Sequence, residues 1–560
     1  MVIAPTAVED QRQQRCAYLR TAADSSCAAA SLGGSVRPAT KLPGEVIGMG
    51  APYGIPLLAA AALSVGMAAS ATVVELGLGP PGRKVLSAAH FGANAEFFRP
   101  DLYFGTLPAD DPRSTRAAFV EALHRSGIRS LRFPAGNPSY YYLAESAPLT
   151  MELAHATGHW EYVDSSPGSA GFVSLESLCS LAREAGIGLI YELPVLFHLD
   201  GATTPRATIR SSLSDVAGNY DRDRIEDCVA YGCGVIRRLR ALGAPVLAWE
   251  LGNEEFALCE AGDYRRLCEA YIPAIRRLDA KTPIVAVGMG AFGSALAGVS
   301  GVDALNAHYP FGNWPGPPSA DRRGDAAAFA GGDLCMDRWL GSPAGWRRSA
   351  TPWAVSETMV MHHEFWDPSA VVTTQAHALT YARNWMTLLE HPGCTMAVFH
   401  DLATPYFGMM RFNVGYDAVA GQFGWLAADA LPGPWTRTFP MEYVLSPTCL
   451  ANRMLSTLEG ARVTPVGLRP DVPEARFTAG VLPDGTRRLV GVNWSAEPLG
   501  LCLRVRGKVR AEVLTATTLA AKLPEEFGVS ALPVEPSANG GWVLTVPGES
   551  VVWGEVAERG

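Results

Sequence analysis

The chain has 560 residues, of which 48% are hydrophobic and 18% charged, enough apolar material for a large core, and this argues against global disorder. The net charge is −9 and no basic run is interleaved with aromatics, which argues against a nucleic-acid partner. The length exceeds one ordinary domain and allows a barrel plus a second module. The cysteines number eleven and form no pattern of Cys-x-x-Cys pairs for zinc. Cys228 with Cys233, or Cys259 with Cys268, could pair in an oxidising compartment; buried free thiols are the alternative.

Residues 1–48 are expected to be a disordered extension, rich in Ala, Ser, Gln and Arg without sustained periodicity. Residues 49–71 form an apolar, signal-like or anchoring segment. Its stretch 55–71 carries no charge and ends Ala69-Ser70-Ala71, a small-x-small site. It is nearly long enough to anchor the chain in a membrane. Its distance from Met1 is wrong for a simple signal peptide, so translation starting at Met49 or an internal anchor are the two options, and a buried Ala-rich helix is the third. Either of the first two implies a secreted or cell-surface protein.

Thr72–Leu78 reads as a strand, and residues 72–84 are expected to join a distant β-sandwich. Residues 85–455 then alternate strand and helix eight times, the pattern of a (β/α)8 TIM barrel. The expected strands are 85–94, 128–134, 188–195, 245–251, 283–288, 302–308, 353–357 and 395–400. Expected helices include 111–126, opened by Asp111-Pro112 and closed by Gly127, one capped by Ser174, and 224–242, 263–278, 326–340 and 373–390. From 456 to 560 the period changes to short β-rich strands separated by turns such as Pro483-Asp484-Gly485, which predicts a C-terminal β-sandwich. Asn493-Trp494-Ser495 is a glycosylation acceptor if the host is eukaryotic.

The chemistry-bearing stretch is Ala248-Trp249-Glu250-Leu251-Gly252-Asn253-Glu254-Glu255: an apolar lead, a glycine break, then an amide and a carboxylic acid. In parallel α/β folds the carboxyl ends of strands hold the chemistry. A second strand, Trp353-Ala354-Val355-Ser356-Glu357, also ends in a carboxylate. Two such glutamates serve a retaining glycosidase as acid/base and nucleophile. Asn253 is expected to bond the sugar's 2-hydroxyl. Glu255 is expected to point away along the chain. Glu364, in a loop, is the weaker candidate nucleophile. Asn94, Glu96, Asn137, Tyr141, Trp160, His308, Trp314, His400 and Asp401 fall at strand ends or in the following loops, where polar groups read hydroxyls and aromatics stack on sugars. His308, His362, His363, His400 and Asp401 lack metal-ligand spacing, so no metal or other cofactor is expected.

These motifs resemble the retaining glycoside hydrolases of clan A, whose catalytic glutamates end strands four and seven of a (β/α)8 barrel. Within the clan the chain is most similar to the heparanase/β-glucuronidase and α-L-arabinofuranosidase kinds, over roughly residues 72–560. Leu131-Arg132-Phe133-Pro134-Ala135-Gly136-Asn137 is similar to their strand-two motif, except that Ala135 stands where glycine is usual. The resemblance implies a carbohydrate substrate, Glu254 as acid/base, Glu357 as nucleophile, Arg132 as the cation beside it and Tyr309 as the residue that orients it. Glu96 could serve an arabinofuranose pocket; a uronic acid would want a basic or backbone-donor one. The length of loops 139–165, 197–222 and 309–325 favours an exo-type pocket. A non-catalytic carbohydrate-binding barrel is the rival from another class.

Overall fold

The computed structural model of the chain describes residues 72–96, 100–112, 114–136, 139, 173–195, 199–200, 204–205, 225–255, 259–308, 312–313, 351–358, 360–361, 374–400, 402, 410–412, 443–521, 524–538 and 540–557. The expectations for 1–48, for 49–71 and for a helix over 326–340 lie outside them. So do Asn137, Tyr141, Trp160, Tyr309, Trp314, His362, His363, Glu364 and Asp401. Among the described residues no helix is long and apolar enough to cross a membrane.

The described chain enters on β1 (Thr72–Leu78) and then builds a barrel of eight parallel strands, closed on itself in chain order. These are β2 (Gly92–Asn94), β3 (Ser130–Phe133), β4 (Gly188–Leu193), β5 (Val246–Leu251), β6 (Ile284–Val287), β7 (Ala304–His308), β8 (Trp353–Thr358) and β9 (Cys394–Phe399). The helices α1 (Arg116–Ser126), α2 (Leu175–Ala185), α3 (Ile225–Ala241), α4 (Ala261–Leu278) and α5 (Gln375–Glu390) follow strands β2, β3, β4, β5 and β8. In α2 the local rules agree with one another. The Ser174 hydroxyl accepts from the Ser177 N–H, Leu175, Leu178, Leu181 and Ala182 are buried on one face, and Gly186 closes the helix at φ 62°.

Two predicted elements are shorter than expected. The first barrel strand is only Gly92–Asn94. Val85 instead bridges Arg462 of the C-terminal region, and Ser87 and His90 close a tight turn between them. Helix α1 begins at Arg116 rather than beside Asp111, because backbone bonds Asp111 N→Pro108 O and Ser114 N→Asp111 O hold that segment in turns.

A further helix, α6 (Pro447–Ser456), leads into the C-terminal strands β10 (Arg462–Thr464), β11 (Val466–Arg469), β12 (Ala475–Val481), β13 (Arg487–Asn493), β14 (Leu499–Leu503), β15 (Lys508–Ala516), β16 (Phe527–Leu532), β17 (Val534–Pro536), β18 (Trp542–Val546) and β19 (Ser550–Ala557). They form a β-sandwich. One sheet has the order β11-β1-β14-β18-β17 and the other β10-β12-β13-β19-β15-β16. The stretch 462–469 is not one continuous strand. Pro465, with no N–H to give a ladder, divides it, and its halves join opposite sheets. β1 lies parallel to β14 and antiparallel to β11, so the start of the described chain completes a sheet from its end. Asn493 is buried and its Nδ2 donates to the Glu497 and Pro547 carbonyls; the amide that glycosylation would need is turned inward. Cys228, Cys233, Cys259 and Cys268 are free thiols. The first two lie five residues apart on α3, a spacing that points them in different directions.

The barrel strands have two buried faces, and the period of two sorts them. Outward residues such as Leu189, Tyr191, Trp249 and Leu251 pack in the main core. Inward residues Ile190, Ala248, Val285, Ala304, Ala354, Met396 and Val398 form a separate apolar layer inside the barrel. One step of two further along β4, β5, β7 and β8 stand Glu192, Glu250, Asn306 and Ser356, all buried.

Candidate active site

Arg132 on β3 is fully buried and stands at the centre of this polar layer. Its Nε donates to Glu250, its Nη1 donates to Glu357 Oε1 at 3.1 Å, and its Nη2 lies 3.2 Å from Glu192 Oε2 and donates to Asn253 Oδ1 at 2.9 Å. One guanidinium thus faces three carboxyl groups and an amide. Its pKa rises: burial alone would lower it, and the charges of Glu250, Glu192 and Glu357 outweigh burial.

Glu357, at the bulged end of β8, is set beside His308 of β7 by the strand register. Asn94 Nδ2 donates to its Oε1 at 2.9 Å, and His308 Nδ1 lies 3.2 Å from its Oε2. The same His308 nitrogen lies 3.0 Å from Glu254 Oε1. One carboxylate oxygen from each glutamate and a ring nitrogen of His308 all lie within 4.8 Å of one another. His400, half-buried beyond β9, has its Nδ1 3.3 Å from Asn94 Nδ2.

The charges divide by role. Burial would raise the Glu357 pKa, but His308, His400 and Arg132 hold it below the usual carboxylate value. Burial would lower that of His308, but the charge of Glu357 and the bond to Glu254 hold it above the usual value. The ionised form of Glu357 and the protonated form of His308 are thus each favoured relative to the free side chain. Glu254, His308 and Glu357 lie close enough to hold a divalent cation. Two carboxylates about 5–5.5 Å apart are the spacing that lets one attack an anomeric carbon while the other protonates the leaving oxygen.

No family model and no curated protein sequence matches the chain. Solved structures do. The GH51 arabinofuranosidase from Xanthomonas axonopodis pv. citri is similar at TM-score 0.58 and 16% identity, over 86% of this chain and 99% of that one. An α-L-arabinofuranosidase from Thermotoga maritima, solved with arabinose, is similar at TM-score 0.57 and 15% identity, over 86% and 99%. The catalytic domain of the GH30 xylanase C from Talaromyces cellulolyticus is similar at TM-score 0.52 and 12% identity, over 87% and 100%. The fold is that of the clan A glycoside hydrolases.

Of the residues singled out in the sequence, the structure brings together Asn94, Arg132, Asn253, Glu254, His308, Glu357 and His400, with Glu96 buried two residues beyond β2. Sequence reasoning missed Glu192, Glu250 and Asn306. Glu250 accepts from Arg132 and, at 2.6 Å, from Asn306 Nδ2, and so fixes the guanidinium from below. Glu192 takes the hydroxyl of Ser139 on its other oxygen. Burial, with the charge of Glu250, pushes its pKa up to about 8 in spite of Arg132. Their signal was a carboxylate between apolar neighbours in a buried strand, as in Tyr191-Glu192-Leu193. Glu255 corrects an expectation. It does not point away along the chain: its Oε1 accepts from the Asn253 N–H at 2.9 Å. Ala135 sits at φ 52°, a left-handed conformation that an L side chain resists, which accounts for the usual glycine there.

Proposed function

We propose that this chain is a retaining glycosidase that releases a neutral sugar, an α-L-arabinofuranosyl unit first among candidates, from a glycan or glycoconjugate. The observation that carries the reading is the pair of glutamates at two strand ends, joined through one imidazole nitrogen within 4.8 Å, with Glu357 alone held by Arg132 and Asn94. Glu357 attacks the anomeric carbon while Glu254 gives its proton to the departing oxygen. The sugar is then an ester of Glu357. Glu254, now a base, takes a proton from water, the water oxygen bonds the anomeric carbon, and Glu357 is released. Asn253, whose Oδ1 is fixed by Arg132, turns its amide nitrogen toward the 2-hydroxyl.

The sugar's charge follows from the electrostatics. A uronic acid needs a cation or a set of backbone N–H donors to receive its carboxylate. Among the described residues the guanidinium at this site is Arg132, and it is engaged by three carboxyl groups. A neutral sugar therefore fits better than a glucuronide. The arabinofuranosidases among the similar structures, matched along nearly their whole length, support the same choice. The 55–71 segment is the ground for proposing that the enzyme acts outside the cell or at its surface.

The test is a panel of aryl glycosides (α-L-arabinofuranoside, β-glucuronide, β-glucoside, β-xyloside and β-galactoside) with Glu357→Ala alongside. Turnover of the arabinofuranoside should fall by roughly 10⁴- to 10⁶-fold in the variant. Azide should restore it and give a glycosyl azide of inverted configuration. Turnover that persists in the variant removes Glu357 from the mechanism, and turnover of the glucuronide alone overturns the choice of sugar.

A further inference from the structure

Glu255 follows the acid/base directly and has no part in the double displacement. Its side chain is fully buried and folds back on the turn before it. Its carboxyl lies against the α-carbon of Gly252, which sits at φ 77°. A methyl group there would collide with both carboxyl oxygens. Gly252 therefore does two things: it takes the left-handed turn, and it leaves the seat that the carboxyl fills. From that seat Oε1 accepts the Asn253 N–H at 2.9 Å, while the Glu255 carbonyl accepts the Cys259 N–H at 2.9 Å. The turn that presents Asn253 and Glu254 is thus closed from both sides by one residue.

Among the described residues no guanidinium or ammonium contacts this carboxyl, and its Oε2 has no hydrogen-bond partner. The ionisable groups around it are Glu192 from β4, Glu250 from β5, Cys259, and Tyr264 and Cys268 from α4. All are acids. Burial and the neighbouring Glu192 keep the carboxyl protonated far above the usual range. An ionised carboxylate would be stranded without a counter-charge.

We propose that Glu255 is a positioning residue for the acid/base: its carboxyl wedges under the Gly252–Asn253 turn and sets where Glu254 and Asn253 point. It acts as a neutral hydrogen-bond acceptor, not as a charge. The proposal rests on the reading of Glu254 as acid/base. It separates Glu255 from a general packing role in the bond-breaking step, which kcat/KM reports: misplacing an acid slows that step most for substrates whose leaving group needs its proton.

The experiment compares wild type, Glu255→Gln, Glu255→Asp and Glu255→Leu on two glycosides of the sugar that wild type turns over. One has a dinitrophenolate leaving group, which needs no proton, and the other an alkyl alcohol, which does. Glu255→Leu should lose about 10²-fold in kcat/KM on the alkyl glycoside, the effect of roughly 1 Å of misplacement, and far less on the activated one. Glu255→Asp, too short to reach the turn, should show the same bias. Glu255→Gln keeps a neutral acceptor of the same length and should restore both rates. Equal losses of kcat/KM on both substrates, or a glutamine variant as impaired as the leucine one, overturn the proposal. A second readout needs no activity. The infrared difference between wild type and Glu255→Gln at neutral pH should contain the carbonyl stretch of a protonated carboxylic acid. Its absence overturns the neutral wedge, whereas wild type silent on every glycoside with the band present overturns the glycosidase reading and leaves the wedge standing.

Discussion

The lower and upper parts of the barrel interior hang on the same strands, two residues apart, and are chemical opposites. Below lie Ile190, Ala248, Val285, Ala304, Ala354, Met396 and Val398, packed on one another. Above lie Glu192, Glu250, Asn306 and Ser356, gathered with Arg132. The lower layer stabilises through apolar burial, about 25 cal/mol per Å². The upper layer cannot be explained that way. Buried ion pairs often contribute less than apolar side chains of the same volume, because each charge has lost its water. The comparison teaches that the strands' N-terminal halves build the barrel and their C-terminal ends give up stability for chemistry.

The largest break in that comparison is Arg132→Met. It leaves Glu250 buried without its guanidinium and Glu357 with His308 and His400 in place of three cations. The expected loss is about 3–5 kcal/mol of stability, the usual result of removing one partner of a buried pair. Turnover should vanish in whatever fraction stays folded. Urea unfolding and kcat measured on the same preparation check both. A variant as stable as wild type would mean that the upper layer is solvated and that its charges do not depend on Arg132.

A cut into the lower layer should separate stability from activity. Met396→Ala removes a buried side chain of the lower, apolar layer. It should cost about 2–5 kcal/mol, by lost burial and the cavity left behind. At a temperature well below unfolding, kcat and KM should match wild type. A stable variant with reduced kcat would show that the lower layer positions the upper one.

Much of this was legible in the sequence, and the reason is the strand end. Each barrel strand is an apolar run that stops, and the first polar residue after it marks the mouth. That rule finds Asn94, Asn253, Glu254, Glu357 and His400 without structure. It fails inside the strands. Glu192 and Glu250 read as interruptions of a buried run, because a strand buried on both faces shows no alternation that would tell inward from outward. Once Ala248 is known to face inward, Glu250 must face inward too. Glu255 was misread for a different reason. Sequence adjacency suggests that a side chain continues the chain's direction, but a glycine at positive φ reverses it. The Cys259–Cys268 spacing allows a disulfide and does not require one, and both thiols are free.

The finest test lies within the upper layer, between two glutamates of equal burial. Glu357 has a pKa held below that of an unfolded carboxyl, so its contribution to stability is present above about pH 4.5 and is lost as pH falls through the folded value. Glu192 is the reverse. Its folded pKa of about 8 means that the native state holds a proton which the unfolded chain releases near pH 4.5. Its contribution is complete below that value and is lost as pH rises toward 8, with a slope of at most about 1.4 kcal/mol per pH unit for one proton. His308, also raised, adds the same sign of slope, but only above about pH 6.5. Glu255, also raised, shares the window from about 4.5 to 6.5, so the slope there belongs to both and substitution at Glu192 removes its own part. Glu192→Gln, neutral at every pH, should reduce the fall of Tm with pH in that window and leave the acid side, where Glu357 acts, unchanged. If the glutamine variant and wild type fall in parallel, Glu192 is ionised beside Arg132. The opposed slopes of the two glutamates are then lost.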